Sequence, residues 1–317
     1  MKIDIFKKVV FYKKEDYSFL RLKAQKISTF KKYGDDLMGK EKIAEGKTKI
    51  IWAGPRKDQV IIENKDYITA GDGAKKDLIV DKGRFATETT CNCFLLLQKK
   101  GIKNHFIRRG NNGNTFVAWQ MKMIPIEIVI RRVATGSYLK RHPDTMEGRI
   151  FRPLVIELFF KDDKLHDPIM VWSDAENAFK LYGPHRPITP DSYIRDLLPE
   201  LSEELTQPNG RIFGKEEVQS LHVFGLNTFL VLEKAWKKLD HTLIDLKIEC
   251  GWAPNGAMVI GDVIDNDSWR LRRGLKDGQV LDKQIYRDLK KSDSESLERI
   301  RQNYARVAEL TGDFLYF

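Results

Sequence analysis

Residues 123–141 have the sequence MIPIEIVIRRVATGSYLKR, which predicts a long β-strand followed by a tight turn. The first half is rich in β-branched apolar residues, and one carboxylate, Glu127, lies within it. Two arginines and a Thr-Gly-Ser turn follow. Cations, a hydroxyl group and a glycine that permits close backbone approach are what a small phosphorylated ligand requires. The alternative is a strand that ends in a solvated basic turn, and this segment alone does not distinguish the two.

The composition predicts a globular protein. The chain has 317 residues, of which 42% are apolar and 10% aromatic, which suits one large domain or two fused subdomains. No run of about 18 apolar residues is present, so no membrane-spanning helix is predicted. The charges near the N-terminus are too closely spaced for a signal peptide. Three cysteines without a paired framework predict reduced thiols and a cytoplasmic protein.

The net charge of +10 is unevenly distributed along the chain. Residues 1–40 carry 11 Lys/Arg and 5 Asp/Glu, a net charge of +6, which leaves +4 for the rest. We therefore interpret residues 1–37 as a basic extension. A basic body with interleaved aromatic residues, the usual footprint of nucleic-acid binding, is missing. The remaining charge suits small anionic substrates, so neither a nucleic-acid nor a membrane partner is predicted. A homo-oligomer is compatible with the sequence, which does not specify the oligomeric state.

The order of patterns along the chain predicts an α+β fold with mostly antiparallel sheets. We expect an N-terminal subdomain at 38–124 and a larger one at 125–317. Residues 173–217 are polar and contain prolines, which predicts an irregular insertion with a short helix. The spacing of apolar residues and the turn signals predict the remaining elements: helices at 82–100, 215–239 and 294–310, and strands at 47–53, 59–63, 104–109, 115–123, 154–160, 242–250 and 257–264.

The segment LIDLKIECG at 243–251 alternates between apolar and charged residues. On a strand its apolar residues would point into a core, whereas Asp245, Lys247 and Glu249 would line the opposite face. Three charged groups on one strand face are usually just exposed to solvent, so this strand alone favours no site.

The next strand changes that interpretation, because Asn255-Gly256 predicts a two-residue hairpin loop between them. In that register Glu249 would directly face Asp262, with their Cβ atoms about 4.5–5.5 Å apart. Like charges in such a pair are destabilising without a cation, and two hard oxygen ligands suit Mg²⁺ bound together with a nucleotide phosphate. The spacing therefore predicts a metal–phosphate site at Glu249 and Asp262, with Lys247 beside the same phosphates.

The segment EGKTKIIW at 45–52 gives a weaker signal for phosphate binding. Gly46 would let backbone amides approach phosphates, and Lys47 and Lys49, two residues apart, would project from one face. The spacing is not that of a Walker loop. Two interpretations remain open, a lysine-edged strand and a glycine-containing hairpin that covers ATP above a sheet.

Two acidic loops resemble metal-binding patterns only superficially. The segment KDDKLHDP at 161–168 has a single histidine and matches no zinc spacing, which favours a loop that positions substrate. The segment GDVIDNDSWR at 261–270 lacks the glycine and the distal glutamate of a calcium loop. The alternative is a loop that brings Asp267 and Arg270 into the same cleft as the predicted metal.

Taken together, these segments resemble the SAICAR synthetase (phosphoribosylaminoimidazole-succinocarboxamide synthase) family. The resemblance extends from about Glu45 to Leu310, and its pieces occur in the family's order. They are EGKTKIIW, ITAGDGAKKD, MIPIEIVIRRVATGSYLKRHP, LFFKDDKLHDP, LIDLKIECG and GDVIDNDSWRLR. The wording DVIDNDSWRL is more similar to the animal-type branch than to the short bacterial one.

The resemblance implies a two-layer α+β fold whose ATP cleft is similar to those of ATP-grasp and kinase folds. It implies a ligase that uses ATP and Mg²⁺ to join L-aspartate to the carboxylate of a phosphoribosyl aminoimidazole (CAIR), giving SAICAR, ADP and phosphate. It also implies residue roles. ATP would contact Gly46, Lys47 and Lys49, with Met123 at the adenine hinge. The metal ligands would be Glu249 and Asp262. The substrate site would contain Arg131, Ser137, Asp167 and Arg270. The residues near the reacting groups would be Lys161, Lys247 and Asp267.

The sequence departs from the family pattern in three places, one of which is the loop after Asp262, which differs from the short bacterial type. The region at 185–212 is longer than the resemblance leads us to expect, and the basic extension has no counterpart. Animal-type members carry a fused carboxylase domain, which is not expected here. An alternative function is a kinase-like phosphotransferase acting on a small phosphorylated metabolite, but the His-Arg-Asp type loop that such an enzyme needs is missing.

Overall fold

The computed structural model describes residues 37, 39–71, 73–197, 205, 207, 210, 213–274, 278–289 and 291–317. The predicted extension at 1–37 lies outside these residues except for its last position. The predicted insertion at 185–212 is described as far as residue 197 and at a few later positions.

The first sheet is antiparallel and has the strand order β1-β2-β3-β7-β6. Its strands are β1 (Lys42–Glu45), β2 (Lys49–Ala53), β3 (Gln59–Asn64), β6 (Phe106–Arg109) and β7 (Thr115–Trp119). A two-stranded ribbon, β4 (Tyr67–Ala70) with β5 (Lys75–Leu78), follows β3 in the chain. Helix α1 (Lys82–Lys99) packs on the sheet, where Phe94 contacts the rings of Phe106 and Phe116.

The second sheet is also antiparallel and has the order β12-β11-β10-β9-β8-β13-β14, with β15 also paired to β13. Its strands are β8 (Lys122–Val133), β9 (Ile150–Phe160), β10 (Ile169–Ser173), β11 (Ala178–Tyr182), β12 (Tyr193–Leu197), β13 (His241–Trp252), β14 (Met258–Gly261) and β15 (Trp269–Arg273). The helices that follow α1 are α2 (Ser137–Arg141), α3 (Lys215–Lys238), α4 (Gln284–Asp288) and α5 (Ser294–Gly312).

Strand β8 separates a packed core from a polar cavity. Ile126, Ile128 and Ile130 are completely buried, and α3 packs over them. The close approach of α3 depends on Gly225, where an added Cβ would lie 2.9 Å from Cγ2 of Ile128. Side chains alternate along a strand, so the intervening residues, including Glu127, face the other way. The buried isoleucines therefore fix the position of the opposite face of β8, which carries Glu127.

One edge of β13 is shared by two short strands. Strand β15 pairs with its first half and β14 with its second half, so the ladder along this edge is interrupted near Lys247. The chain bridges the gap through residues 262–268, and the backbone N–H of Lys247 donates to the carbonyl of Ser268 at 2.7 Å. Three aspartates of this bridge are thereby placed beside the charged face of β13.

The predicted α+β class and the three long helices are confirmed. The prediction of an irregular insertion at 173–217 was partly wrong, because β11 and β12 extend the second sheet there. Strand β11 pairs with β10, and β12 pairs with β11, a pattern that the proline and polar content of the segment obscured. Within the described residues, no helix is long and apolar enough to cross a membrane.

Candidate active site

A cavity of about 420 Å³, here called the central cavity, is lined by the first sheet, β8, β13 and the 262–268 bridge. The first sheet contributes Lys47, Thr48 and Lys49, and the bridge contributes Asp262, Asp265 and Asp267. A second cavity of about 470 Å³, the side cavity, adjoins it. The two cavities share Glu127, Val129 and Arg131 of β8 as lining residues. The outward face of β8 is thus a common wall.

The predicted pairing of Glu249 with Asp262 was wrong by one residue. Glu249 faces Gly261 in the ladder. The loop is longer than the Asn-Gly signal suggested, because the Ala253 N–H donates to the Ala257 carbonyl at 2.9 Å and encloses three residues. Asp262 has left the strand by then, with φ of 56°. Asp262 nevertheless lines the central cavity, as Lys247 does.

On the other side of β13, the residue paired with Glu249 is another carboxylate, Glu127 of β8. Lys247 bridges them, with Nζ 2.5 Å from Glu127 Oε1 and 3.3 Å from Glu249 Oε1. Lys161 donates to Glu249 Oε2 at 2.8 Å. The opposed carboxylates thus receive their compensating charge from two lysines. Burial would lower the pKa of Lys247, but Glu127 and Glu249 outweigh it and raise that pKa above its ordinary value.

Asp262 connects this cluster to the first sheet through an ion pair with Lys49. Burial acts to raise the pKa of Asp262, but Lys49 and Lys247 outweigh it and lower the pKa to about 2. The carboxylate is therefore ionised at neutral pH. Lys49 and the glycine hairpin lie together, since the Gly46 N–H donates to the Lys49 carbonyl at 2.9 Å.

The donor set fits a magnesium ion that also binds phosphate. Within the described residues, no group of three or more carboxylate, imidazole or thiol side chains is arranged as a metal cage. Mg²⁺ bound with a nucleotide needs only one or two protein carboxylates, since phosphates and water supply the other ligands. Glu249 and Asp262 are hard oxygen donors that share Lys247 and Lys161 as neighbouring charges. These carboxylates could exchange lysine contacts for a metal.

Arg131 lies in a buried cluster of charges at the common wall. Its Nε donates to Glu157 at 2.6 Å, and its Nη1 donates to Asp245 at 3.1 Å. The remaining Nη2 donates to the Ser137 hydroxyl at 3.3 Å. Arg270 also pairs with Asp245. The predicted substrate residues Arg131, Ser137 and Arg270 therefore lie together.

The glycine of the Thr-Gly-Ser turn is required by two independent features. Gly136 has φ of 60°, in the left-handed half of the map. A Cβ added there would also lie 2.4 Å from Nη2 of Arg270. The sequence predicted that this glycine permits the close approach of a ligand. In the structure it permits the close approach of Arg270, which lines the central cavity.

Arg132 has a different environment from its neighbour. It points to the opposite face of β8 and forms a bidentate ion pair with Glu233 of α3, at 2.6 and 2.9 Å. Its Nη1 also donates to the Phe151 carbonyl. Arg132 therefore joins α3 to the sheet.

Asp267 lies in a second cluster of charges in the central cavity. Lys283 donates to it at 3.1 Å, Lys82 lies 3.8 Å away, and the Tyr304 hydroxyl donates to its other oxygen. Burial would raise the pKa of Asp267, but the two lysines outweigh it and hold the pKa below its ordinary range. For neighbouring Asp265, burial and the charge of Asp267 raise the pKa to about 6.

Of two further predicted residues, Asp167 lines the side cavity, whereas Met123 lines neither the central nor the side cavity. Asp167 also accepts a hydrogen bond from the Asp162 backbone at 3.0 Å. Met123 is 38% exposed and pairs with Gly251 at the start of β8, just after the connection from the first sheet. Its Sδ would lie 3.2 Å from a Cβ added to Gly261.

Several residues at the site were not assigned roles from the sequence. They are Lys82, Arg141, Glu157, Asp265, Lys283 and Arg287. Glu127 stood out as a charge within an apolar strand, a signal that could have been taken further. Arg141 and Asp265 lie within segments that the sequence analysis quotes, and Glu157 is a carboxylate within an apolar strand like Glu127, so each had a local signal. Lys82, Lys283 and Arg287 come from segments without such a motif.

Comparisons with known proteins agree on one family. A family model described as SAICAR synthetase matches residues 42–303. A phosphoribosylaminoimidazole-succinocarboxamide synthase from Chloroflexus aggregans is 41% identical over 271 residues, covering 85% of this chain and 95% of that protein.

Solved structures are similar over most of their length. The structure described as SAICAR synthetase (Type-2) in complex with ADP has a TM-score of 0.64 and 28% identity, covering 83% of this chain and 97% of that one. The phosphoribosylaminoimidazole-succinocarboxamide synthase of Ehrlichia chaffeensis has a TM-score of 0.66 and 26% identity, covering 86% and 98%.

Proposed function

The chain belongs to the SAICAR synthetase family, and we propose that it carries out the family's reaction with residues in and around the central and side cavities. The protein is an ATP-dependent ligase of purine biosynthesis that joins L-aspartate to the carboxylate of CAIR, giving SAICAR, ADP and phosphate. The proposal concerns how its side chains divide this work.

One observation carries the proposal. A cluster of alternating carboxylates and lysines lies between the glycine hairpin and the buried arginines. ATP phosphates and the substrate carboxylate must meet between their two binding sites. The cluster lies in that position. There it could serve phosphoryl transfer by exchanging its lysine contacts for contacts with metal and phosphate.

On the nucleotide side, Lys47 and Lys49 would contact the phosphates of ATP, and Gly46 would allow their close approach. Lys47 lines the central cavity, and its side chain lies beside Gly73. Met123 would contact adenine, consistent with its partly exposed position just after the connection between the sheets. We assign residues 38–124 to the ATP-covering subdomain and 125–317 to the subdomain that binds substrate and metal.

Glu249 and Asp262 would hold a magnesium ion, which when bound would offset the charge on the transferring phosphoryl group. Lys247 and Lys161 now donate to Glu249, and Lys49 forms an ion pair with Asp262. Their ammonium groups would turn to the phosphoryl oxygens and to the carboxylate of CAIR. The residues would act by positioning and charge, without a protein nucleophile.

On the substrate side, Arg131, Ser137 and Arg270 would bind the ribosyl phosphate of CAIR, and Asp167 would line the same site. A carboxylate is a poor electrophile. Transfer of the γ-phosphoryl group to an oxygen of that carboxylate gives an acyl phosphate, from which phosphate can leave. The aspartate amine then attacks the carbonyl carbon, the carbon–oxygen bond to phosphate breaks, and a proton is lost from nitrogen. Asp267 would lie near the reacting groups.

An ADP-release assay tests this proposal and separates it from a kinase-like phosphotransferase. With ATP, CAIR and Mg²⁺ present, sustained ADP release should require aspartate and should yield SAICAR stoichiometrically. A phosphotransferase would release ADP and form a phosphorylated product at the same rate without aspartate. Chelation of Mg²⁺ should stop the reaction, and turnover that survives chelation would refute the metal role.

A cytoplasmic location is part of the proposal. All three cysteines are unpaired and buried in the structure, and thiols in such positions are maintained in a reducing compartment. Fractionation of cells that express a tagged protein would test this, and recovery from an oxidising compartment would contradict it.

A further inference from the structure

Glu157 of β9 accepts hydrogen bonds from two buried arginines at once. Arg131 donates to Oε2 at 2.6 Å, and Arg141 donates to Oε1 through Nε at 3.0 Å and Nη2 at 2.7 Å. The exposed fractions are 7% for Glu157, 3% for Arg131 and 2% for Arg141. A carboxylate in this position has no solvent to replace a lost partner.

Glu157 and its two arginines belong to a chain of five charged side chains. One end of this chain lines the side cavity and the other lines the central cavity. Its order is Arg141, Glu157, Arg131, Asp245 and Arg270. Three cations alternate with two anions, so one positive charge is in excess. The cluster neutralises its own interior and keeps a net charge suited to an anionic ligand.

The contacts also fix the direction in which Arg131 can act. Glu157 holds Nε on one side, and Asp245 holds Nη1 on the other. Nη2 is directed towards Ser137, which lines the side cavity. A planar guanidinium binds phosphate well only in the correct orientation, so the carboxylates that orient it influence affinity without touching the ligand.

Glu157 also acts on a loop. Through Arg141, whose Nη1 donates to the Pro184 carbonyl at 2.5 Å, it is connected to the turn that begins at Gly183. Pro184 and His185 line the side cavity together with Ser137. One carboxylate thus holds two walls of the same cavity, the arginine wall and the loop wall.

We propose that Glu157 is a positioning residue for the ribosyl phosphate of CAIR, acting through Arg131 and, by way of Arg141, through the loop at Gly183–Arg186. The inference rests on the proposed function, because it takes Arg131 as a phosphate ligand. It also predicts a selective effect. The KM for CAIR should depend on Glu157, whereas the KM values for ATP and aspartate should not.

Glu157→Gln tests the proposal, with Glu233→Gln as its matched control. Each glutamate pairs with one of two adjacent arginines, but Glu233 lies on the opposite face of β8. In Glu157→Gln the KM for CAIR should rise by up to about 10²-fold, the size expected from a small misplacement of a binding group. The KM values for ATP and aspartate, and kcat at saturating CAIR, should stay close to wild type. Glu233→Gln should leave all of these unchanged.

A second readout isolates the phosphate contact. Ribose 5-phosphate carries the phosphate without the imidazole, and its inhibition constant against CAIR should rise in parallel with KM in Glu157→Gln. Inhibition by ADP against ATP should not change. If Glu157→Gln fails to fold, Glu157→Asp and Arg141→Lys keep the charges, and each should show the same selective rise.

The outcomes separate this inference from the proposed function. A wild-type enzyme that does not release ADP with CAIR and aspartate would refute the function itself. An active enzyme whose Arg131→Lys variant has a raised KM for CAIR, but whose Glu157 and Arg141 variants behave like Glu233→Gln, would refute only this inference. Equal changes in all three KM values would indicate a merely structural role and would also refute it.

Discussion

The two faces of β8 have the same backbone but different uses of their side chains. On one face Ile126, Ile128 and Ile130 are fully buried against α3. On the other, Glu127 and Arg131 form the wall shared by the two cavities. Apolar burial stabilises the fold, whereas charges at this position cost desolvation and persist only with partners. The apolar face should therefore control stability and the charged face activity, and each prediction below tests that division.

The largest effect is expected from Glu249→Ala on the charged side. The substitution removes a proposed metal ligand and leaves Lys161 and Lys247 without their common partner. We expect kcat/KM to fall by at least about 10²–10³-fold, as when a transition-state charge contact is lost. Steady-state kinetics would measure this, and circular dichroism should show that the fold is retained. Near-normal turnover would exclude the metal role.

The corresponding change on the apolar face is Ile128→Ala. It leaves a cavity beneath α3 and should lower the free energy of unfolding by about 2–5 kcal/mol. Denaturant unfolding would measure the loss, and the KM values of the folded enzyme should match wild type. A selective rise in the KM for CAIR with unchanged stability would break the division between the faces.

Substitutions at two glycines form a matched pair, and their expected effects are of intermediate size. Gly136→Ala would force a Cβ against the Arg270 guanidinium in a backbone region that favours glycine, so the unfolding free energy should fall by about 1–3 kcal/mol and the KM for CAIR should rise. Gly225→Ala would push against Ile128 and cost about 1–3 kcal/mol through overpacking. Its KM for CAIR should stay unchanged. Matching kinetics in the two variants would contradict the comparison.

The smallest effect is expected from Arg132→Lys. The partly exposed pair with Glu233 should contribute at most about 1 kcal/mol, and lysine keeps the charge. Thermal unfolding and initial rates should both lie close to wild type. Arg131→Lys, one residue away, should raise the KM for CAIR, because lysine cannot contact Glu157, Asp245 and Ser137 in one plane. A kinetic defect confined to Arg132→Lys would reverse our assignment of the faces.

The sequence was most informative where a local period decides the structure. Alternation in β13 identified which side chains face the apolar core, because a strand has only two faces, but it did not show that Asp245 and Glu249 on the other face are also buried. The same rule explains why the adjacent Arg131 and Arg132 have different partners, Glu157 and Glu233. The three long helices followed from their apolar spacing, with ends within two residues of those observed.

The sequence was least informative where tertiary packing decides. Asn255-Gly256 suggested a two-residue loop, but the turn encloses one residue more and Asp262 leaves the ladder. The register from which a metal site at Glu249 and Asp262 was predicted was therefore wrong. The residue that faces Glu249 is Glu127, more than a hundred positions earlier in the chain. Glu157 lies in the apolar run LVIELFF at 154–160, as Glu127 does in β8, but this single-strand pattern does not show that two arginines contact it.

The most direct test of the central claim is to follow an oxygen atom from substrate to product. If the charged cluster serves to activate the CAIR carboxylate, phosphate formed from CAIR labelled with ¹⁸O in that carboxylate should carry one labelled oxygen for each SAICAR made. Mass spectrometry of the released phosphate measures this. If the released phosphate carried no label, ATP would not activate this carboxylate. That result would contradict the account.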